Sequence, residues 1–280
     1  YGELLKDIIE FIRQRKHENL FLHENGLLYA NGTDKAITWM NSTVNGHPVI
    51  PRTGYIVEFN ALWYNALRFV ADLVREDGNV LLADALDAQA EVTGKSFIEV
   101  FRNEYGYLLD YVDGNMMDWS VRPNMIFAVA FDYSPLDRAQ KKQVLDIATK
   151  ELLTPKGLRT LSPKSGGYNP NYVGPQIQRD YAYHQGTAWF LENVIPIATG
   201  IIAIAIIAII AIIAIATLGE SVGGGTQSTS SGSAGSNTGT YSQKKYDHVK
   251  GNTMSTMNNQ KDNRPAYETD TNPNHHYIVD

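Results

Sequence analysis

The stretch Val57-Glu58-Phe59-Asn60-Ala61-Leu62-Trp63-Tyr64-Asn65 begins a helical pattern that runs to about residue 76. One side of this predicted helix carries Leu62, Phe69, Val70 and Leu73, and Asp77-Gly78 ends it. Upstream lie Pro51-Arg52-Thr53-Gly54 and Thr38-Trp39-Met40-Asn41. These segments bring tryptophans, an arginine, a carboxylate and amides into a short span. Such a set is typical of a pocket that stacks on sugar rings and hydrogen-bonds their hydroxyls.

The bulk composition excludes several classes of function. The chain has 280 residues, enough for one large domain or two modest ones. A formal net charge of −6 disfavours nonspecific nucleic-acid binding, which needs a basic face. Cysteine is absent, which excludes disulfides, thiolate metal sites and cysteine nucleophiles. The chain opens Tyr1-Gly2-Glu3 with no initiator Met and no charged-then-apolar leader, so we interpret it as a fragment or processed chain.

Apolar periodicity predicts further helices. Residues 3–15 and 80–101 carry apolar side chains at three- and four-residue spacing, and 123–131 has the pattern of a short apolar helix. By contrast, residues 21–30 are predicted to be extended, with a turn at Glu24-Asn25-Gly26.

Another helix is predicted to begin with Ser134 as N-cap, Pro135 in the first position and Asp137 completing a capping box. It is expected to end near residue 153 and to be followed by a loop over 154–175 that is rich in Pro, Gly and Ser. No alternation of apolar and polar residues persists long enough to indicate a large sheet. The sequence therefore predicts an all-α array of helical hairpins.

Several segments together carry a family resemblance. They are Thr38-Trp39-Met40, Pro51-Arg52-Thr53-Gly54, the stretch from Val57 to Asn65, Val121-Arg122-Pro123-Asn124, Tyr133-Ser134-Pro135-Leu136, Glu151-Leu152-Leu153-Thr154, the stretch from Gly157 to Pro163 and the stretch from Arg179 to Thr187. In this order, over about residues 1–190, they resemble the C-terminal domain of glycogen debranching enzymes, the amylo-α-1,6-glucosidase family.

The resemblance implies a partial (α/α)6 toroid over residues 1–193, with too few helices before Thr38 for a complete one. It also implies inverting hydrolysis of α-1,6-linked glucose, a branched α-glucan or malto-oligosaccharide as partner, no cofactor and a cytoplasmic location. No metal site is predicted, because the pair His275-His276 has no third ligand. Such hydrolysis needs a protonated carboxyl to donate to the leaving oxygen and a second carboxylate to activate water.

Two departures bear on catalysis. The family motif reads Thr-Trp-Met-Asp, and its Asp is the general acid, whereas this chain has Asn41 in that position. After Thr187 the family continues into a Trp-Pro-Trp stretch, and eukaryotic members have a catalytic Glu near the position of Ala188, so the general base is not assigned. Asp180 is the best spare carboxylate near His184-Gln185.

The candidate substrate-binding residues are Trp39, Arg52, Glu58, Asn60, Trp63, Arg122, Asn124, Arg179, His184 and Gln185. Several of them also have a structural interpretation. The tryptophans fit core aromatics, Glu58 is favoured at a helix start, and Arg122 and Asn124 fit helix caps. Asp34, Asp113 and Asp118 are candidates to replace the missing general acid. The default expectation for all three is a surface aspartate without such a role.

The C-terminal third has a different composition. Residues 197–218 are almost wholly Ile and Ala, and at ~1.5 Å per residue they would extend about 33 Å, enough to cross a membrane. We therefore predict an apolar helix over 194–219 that is a candidate transmembrane span and would make the protein membrane-associated. A buried helix and a non-native low-complexity segment are the alternatives. The Gly/Ser/Asn-rich residues 220–280 are predicted to be disordered.

Three hypotheses about function follow. The first is a debranching-type glycoside hydrolase domain, impaired because Asn41 replaces the general acid. The second is a non-catalytic α-glucan-binding module, in which Asn41 keeps a hydrogen bond to the glycosidic oxygen without proton transfer. The third is a membrane-tethered chimera without activity.

Overall fold

A computed structural model describes residues 2–189. Its α-helices are α1 (Gly2–Arg13), α2 (Val57–Glu76), α3 (Val80–Phe101), α4 (Phe127–Ala130), α5 (Arg138–Leu152) and α6 (Gln176–Ala182), and a 3-10 helix spans Pro123–Ile126. The strands are β1 (Leu20–Leu22), β2 (Leu28–Ala30), β3 (Thr43–Val44), β4 (His47–Pro48), β5 (Gly54–Ile56), β6 (Tyr111–Asp113), β7 (Met116–Met117), β8 (Leu153–Thr154), β9 (Gly157–Arg159) and β10 (Ala188–Trp189).

The principal sheet has five strands in the order β1-β2-β5-β6-β7, and every neighbouring pair is antiparallel. Tyr29 of β2 pairs with Tyr55 of β5, which in turn pairs with Val112 of β6. Two smaller sheets are the hairpin β3-β4 and the three-stranded sheet β10-β9-β8. The fold is thus built from mixed helical and antiparallel β-structure.

The long helices α2 and α3 form an antiparallel hairpin inserted between β5 and β6. Asn79 caps α3, since its side chain accepts a hydrogen bond from the backbone N–H of Leu82 at 3.2 Å. One core cluster joins α2 and α3 to α1 and includes Leu5, Ile9, Trp63, Leu67 and Leu86. A second packs Phe97 and Phe101 of α3 against the 3-10 helix and α5. Both phenylalanines are fully buried, which stabilises the fold by about 1.5–3 kcal/mol for each ring.

Glycine is required at position 54, where β5 meets β6. The backbone of Gly54 has φ +96°, and a Cβ added there would lie 2.3 Å from the carbonyl oxygen of Val112. A side chain would therefore push the two strands apart. The Pro51–Gly54 segment ends in glycine because the strand pairing that follows needs this close approach.

The prediction of an all-α partial toroid is wrong. The described residues are 45% helix and 14% strand, and they contain a five-stranded antiparallel sheet. The strands are two or three residues long, too short to show an apolar–polar alternation in the sequence. Their pairing joins segments far apart in the chain, such as Tyr29 with Tyr55, and local patterns carry no information about such contacts.

The apolar helix predicted over 194–219 and the disordered tail predicted over 220–280 lie outside the described residues. Within residues 2–189, no helix combines the length and the apolar character needed to cross a membrane.

Candidate functional site

The sheet register brings the candidate site together at one end of β5, β6 and β7. Ile56, the last residue of β5, pairs with Tyr111, the first residue of β6, and the backbone N–H of Val57 donates to the carbonyl oxygen of Asp110 at 3.1 Å. The backbone N–H of Asp110 donates in turn to the carbonyl oxygen of Asp118 at 2.9 Å. Antiparallel pairing therefore places the start of α2, the entry to β6 and the exit from β7 side by side.

Arg52 lies at the centre of this region and is 2% exposed. Its guanidinium makes a bidentate ion pair with Glu58, in which Nη1 contacts Oε1 and Nη2 lies 2.7 Å from Oε2. Burial alone lowers the pKa of Arg52, but the carboxylates of Asp110 and Glu58 more than offset this and raise it overall. The guanidinium is therefore held as a cation inside the protein.

Asp110 is the hub of the site. One carboxylate oxygen, Oδ2, lies 2.9 Å from Nε of Arg52 and 3.9 Å from Nε of Arg122. The other, Oδ1, accepts hydrogen bonds from Nη2 of Arg52 at 3.1 Å and from Nδ2 of Asn124 at 2.7 Å. A single buried carboxylate thus lies against two cations and orients one amide.

A further buried carboxyl, Asp118, follows β7. Its Oδ1 accepts a hydrogen bond from the backbone N–H of Ser120 at 2.8 Å. Burial and the neighbouring Asp110 carboxylate raise the pKa of Asp118 above its usual value, and burial also raises that of Glu58. Burial and the carboxylates of Asp118 and Asp110 also raise the pKa of the Tyr111 hydroxyl to about 12. The local environment therefore disfavours any further negative charge.

Arg122 connects this centre to the C-terminal part of the described chain. Its Nη1 donates to the carbonyl oxygens of Thr160 at 3.1 Å and His184 at 2.7 Å, and its Nη2 donates to Oε1 of Gln185 at 3.0 Å. Burial and the guanidinium groups of Arg122 and Arg52 lower the pKa of His184 to about 3. His184 is therefore a neutral imidazole at neutral pH.

The network ends at a half-buried indole. Nε1 of Trp39 donates to Oδ1 of Asn124 at 2.8 Å, and the Trp39 ring meets the His184 ring edge-on with centroids 5.1 Å apart. The chain of contacts from Arg52 through Asp110 and Asn124 thus fixes the orientation of Trp39. An aromatic face held in this way is suited to stacking on a sugar ring.

Asn41, two residues after Trp39, is exposed. The next residue, Ser42, donates from its hydroxyl to the carbonyl oxygen of Asp180 at 2.7 Å. The residue that follows the expected general-acid position is therefore in contact with the segment that carries Asp180, although Ser42 and Asp180 are 138 positions apart in sequence.

Comparison with known proteins identifies the family. A family model described as amylo-alpha-1,6-glucosidase matches residues 3–199. The chain belongs to the amylo-alpha-1,6-glucosidase family. The glycogen debranching enzyme of Saccharomyces cerevisiae is 29% identical over 212 residues, which cover 59% of this chain and 13% of that protein. The resemblance inferred from the sequence motifs is confirmed.

Most of the predicted site residues of this amylo-alpha-1,6-glucosidase domain lie in one network. The contacts above link seven of them: Trp39, Arg52, Glu58, Arg122, Asn124, His184 and Gln185. Arg179 and Asp180 lie on α6, where Arg179 donates to Oε1 of Gln176 at 2.7 Å and Asp180 accepts from Nε2 of Gln176 at 2.6 Å. Sequence order alone did not show that these segments meet.

Asn60 and Trp63 make contacts of a structural kind. Asn60 accepts from the backbone N–H of Leu28 at 2.7 Å and donates to the carbonyl oxygens of Leu28 and Ile56 at 3.0 Å. Trp63 packs in the core between α1, α2 and α3, and its Nε1 donates to the carbonyl oxygen of Gly26 at 3.2 Å. Both side chains tie α2 to the β1-β2 hairpin.

Asp110 was not predicted from the sequence. The available signal was a carboxylate directly after Tyr107-Leu108-Leu109, an apolar run that is buried in the structure. Among the three substitute acids considered, Asp34 is exposed, and half-buried Asp113 accepts a hydrogen bond from the Tyr29 hydroxyl at 3.0 Å. Asp118 is only 7% exposed, which contradicts the default expectation of a surface aspartate.

Within residues 2–189, no group of three or more His, Asp or Glu side chains is arranged to hold a metal ion.

Proposed function

We propose that this amylo-alpha-1,6-glucosidase domain binds the ends of branched α-glucans at Trp39, and that its hydrolysis of α-1,6-linked glucose is impaired. The observation that carries the proposal is the buried network that ends at Trp39, two residues before the exposed Asn41. The chain spans only 13% of the yeast glycogen debranching enzyme, so α-glucan as the ligand is an inference from family membership and from the chemistry of the site.

The buried polar residues are assigned a supporting role. Arg52 and Arg122 together offset the charges of Glu58 and Asp110 within the protein. Arg122 also donates to two backbone carbonyls and to Gln185. Binding sites are most precise when the groups that touch a ligand are held by such a second layer of contacts. Contact with sugar then falls mainly to Trp39, with half-buried Gln185 as the adjacent polar group. His184 is 1% exposed and supports the Trp39 ring from inside the protein.

Asn41 explains the impairment. An amide has no dissociable proton in the working pH range, so it cannot protonate the leaving oxygen of a glycosidic bond. Loss of general-acid help costs on the order of 10²–10⁴ in rate. Asp180 is the proposed partner carboxylate, because its backbone is held against Ser42, the neighbour of Asn41. An inverting pair would need its carboxyl groups about 6.5–9.5 Å apart to admit a water molecule.

The substitution at position 41 also favours a second candidate function, a non-catalytic α-glucan-binding module. The amide of Asn41 retains hydrogen-bonding capacity toward a glycosidic oxygen while lacking the acidic proton. Both functions require glucan binding and differ only in turnover.

Calorimetric titration of the chain with maltoheptaose tests the binding that both functions share. We expect saturable binding, and we expect Trp39→Ala to weaken it by about tenfold or more. Trp119→Ala is the matched control, since Trp119 is also half-buried but packs against Tyr105, with ring centroids 6.2 Å apart. The proposal fails if the folded wild-type chain binds no glucan, or if the two variants lose affinity equally.

A further inference from the structure

Aromatic rings continue outward from the candidate site in an unbroken series of contacts. The centroids of Trp39 and His184 are 5.1 Å apart, those of His184 and Tyr183 are 4.6 Å apart, and those of Tyr183 and Tyr172 are 5.6 Å apart. All three distances lie within the range of direct ring–ring packing. Tyr172 is therefore connected by packed rings to the indole at which we place the glucan end.

The outer end of this series is open to solvent within the part of the chain that the structure describes. Tyr172 is 46% exposed. The guanidinium carbon of Arg179 lies 5.9 Å from the centroid of its ring, and Arg179 is held by Gln176, which also binds Asp180. The exposed ring thus has one planar polar group beside it, the Arg179 guanidinium, which a hydrogen bond to Gln176 orients.

We infer that Tyr172, supported by Tyr183 and Arg179, forms a second stacking position that takes glucose units of the same α-glucan chain beyond the unit at Trp39. This inference rests on the proposed glucan binding. An exposed aromatic face beside fixed hydrogen-bonding groups matches the chemistry of a pyranose, which has an apolar face and a rim of hydroxyls. Continuity with Trp39 through ring contacts favours a longer glucan over an unrelated partner.

Helix geometry provides a matched control in the same segment. Arg179 of α6 and Tyr183, its C-cap residue with helical backbone angles, are four residues apart, so they lie on the side that faces Tyr172. Tyr181 lies two residues from each of them and projects about 200° around the helix axis, since each residue advances about 100°. Tyr181 is 52% exposed, comparable with Tyr172, but lies on a different face.

The expected consequence is a dependence of affinity on chain length. Loss of one stacking ring corresponds to about a three- to tenfold change in affinity. Because Tyr172 lies three ring contacts from Trp39, a disaccharide at Trp39 should not depend on it, whereas a heptasaccharide should.

The experiment is calorimetric titration of the full chain and its variants with maltose and with maltoheptaose. We expect Tyr172→Ala to weaken maltoheptaose binding three- to tenfold while leaving maltose binding unchanged. Tyr181→Ala should behave as wild type with both sugars, and Tyr172→Phe, which keeps the ring, should restore most of the lost affinity.

The possible failures are distinguishable. If the wild-type chain binds maltoheptaose but Tyr172→Ala matches Tyr181→Ala, the second stacking position is disproved and the proposed function stands. If Tyr172→Ala weakens maltose and maltoheptaose equally, Tyr172 acts through the Trp39 site itself and the inference is also wrong. If the wild-type chain binds neither sugar, the proposed function and the inference fail together.

Discussion

Asp110 and Arg52 make two contacts with each other in the protein interior: Nε of Arg52 lies 2.9 Å from Oδ2 of Asp110, and Nη2 lies 3.1 Å from Oδ1. The two side chains are each 1% exposed. Removing one member of such a pair leaves the other charge buried without full compensation, which is far more costly than losing an exposed ion pair.

Asp110→Asn is therefore expected to lower the free energy of unfolding by about 3–5 kcal/mol, because two guanidinium groups lose their shared counter-charge. The measurement is chemical denaturation followed by circular dichroism. Asp113→Asn is the control, since Asp113 is half-buried and accepts a hydrogen bond from Tyr29, and it should cost about 1 kcal/mol. Equal losses in the two variants would contradict the role of Asp110 as the hub.

Asn60→Ala tests whether Asn60 is structural. It removes three hydrogen bonds and leaves backbone groups of Leu28 and Ile56 unsatisfied in the interior, so we expect a loss of about 2–4 kcal/mol in unfolding free energy. The affinity of the folded protein for maltoheptaose should stay at the wild-type value when titrated well below the melting temperature. Weakened binding in a folded Asn60→Ala protein would place Asn60 among the sugar contacts instead.

His184 makes stability depend on pH. Its pKa falls from the usual 6.5 to about 3 on folding, mainly through burial, so the unfolded chain binds the proton more readily than the folded protein. The stabilisation is fully present above pH 6.5 and is lost as the pH falls toward 3. Between pH 7 and pH 5 this loss amounts to about 2 kcal/mol.

Denaturation of the wild type and of His184→Gln at pH 7 and pH 5 measures this contribution. The wild type should lose about 2 kcal/mol more than the variant over this interval, because glutamine has no proton to bind. Parallel pH profiles would show that His184 does not titrate differently in the folded and unfolded chains.

The long helices could be predicted from sequence because the apolar periodicity that specifies them is local in the chain. The predicted bounds 57–76 and 80–101 match α2 and α3, where apolar residues recur over many turns. The prediction of extended structure over 21–30 with a turn at residues 24–26 is also confirmed by the β1-β2 hairpin. In these segments the local pattern and the tertiary contacts favour the same structure.

The N-cap of α5 was predicted three residues too early. Ser134 was predicted as the N-cap, but the helix begins at Arg138 with Asp137 as N-cap and Gln140 completing the capping box. The Ser134 hydroxyl instead donates to the carbonyl oxygen of Ala128 and accepts from the backbone N–H of Leu136. Both Ser134 and Asp137 satisfy the capping chemistry, and the packing of the preceding turn decides between them.

Most residues of the site could be predicted from the sequence, but the contacts that bring them together could not. Family motifs identified Trp39, Arg52 and Arg122, whereas Asp110, which links them, lies in none of those motifs. Its position follows from the pairing of β6 with β5 and β7, a contact between segments more than 50 residues apart in the case of Ile56 and Tyr111. The same short, non-local strands caused the fold class to be predicted wrongly.

The most direct test of the impaired acid is glucose release from a branched limit dextrin by the wild type, Asn41→Asp and Asn45→Asp. Asn45 is the matched control, because it is exposed, lies four residues away and undergoes the same change of charge. We predict that all three bind the glucan and that only Asn41→Asp releases glucose faster than the wild type, by on the order of 10²–10⁴. Binding by all three, with no increase in release for Asn41→Asp over Asn45→Asp, would contradict the account.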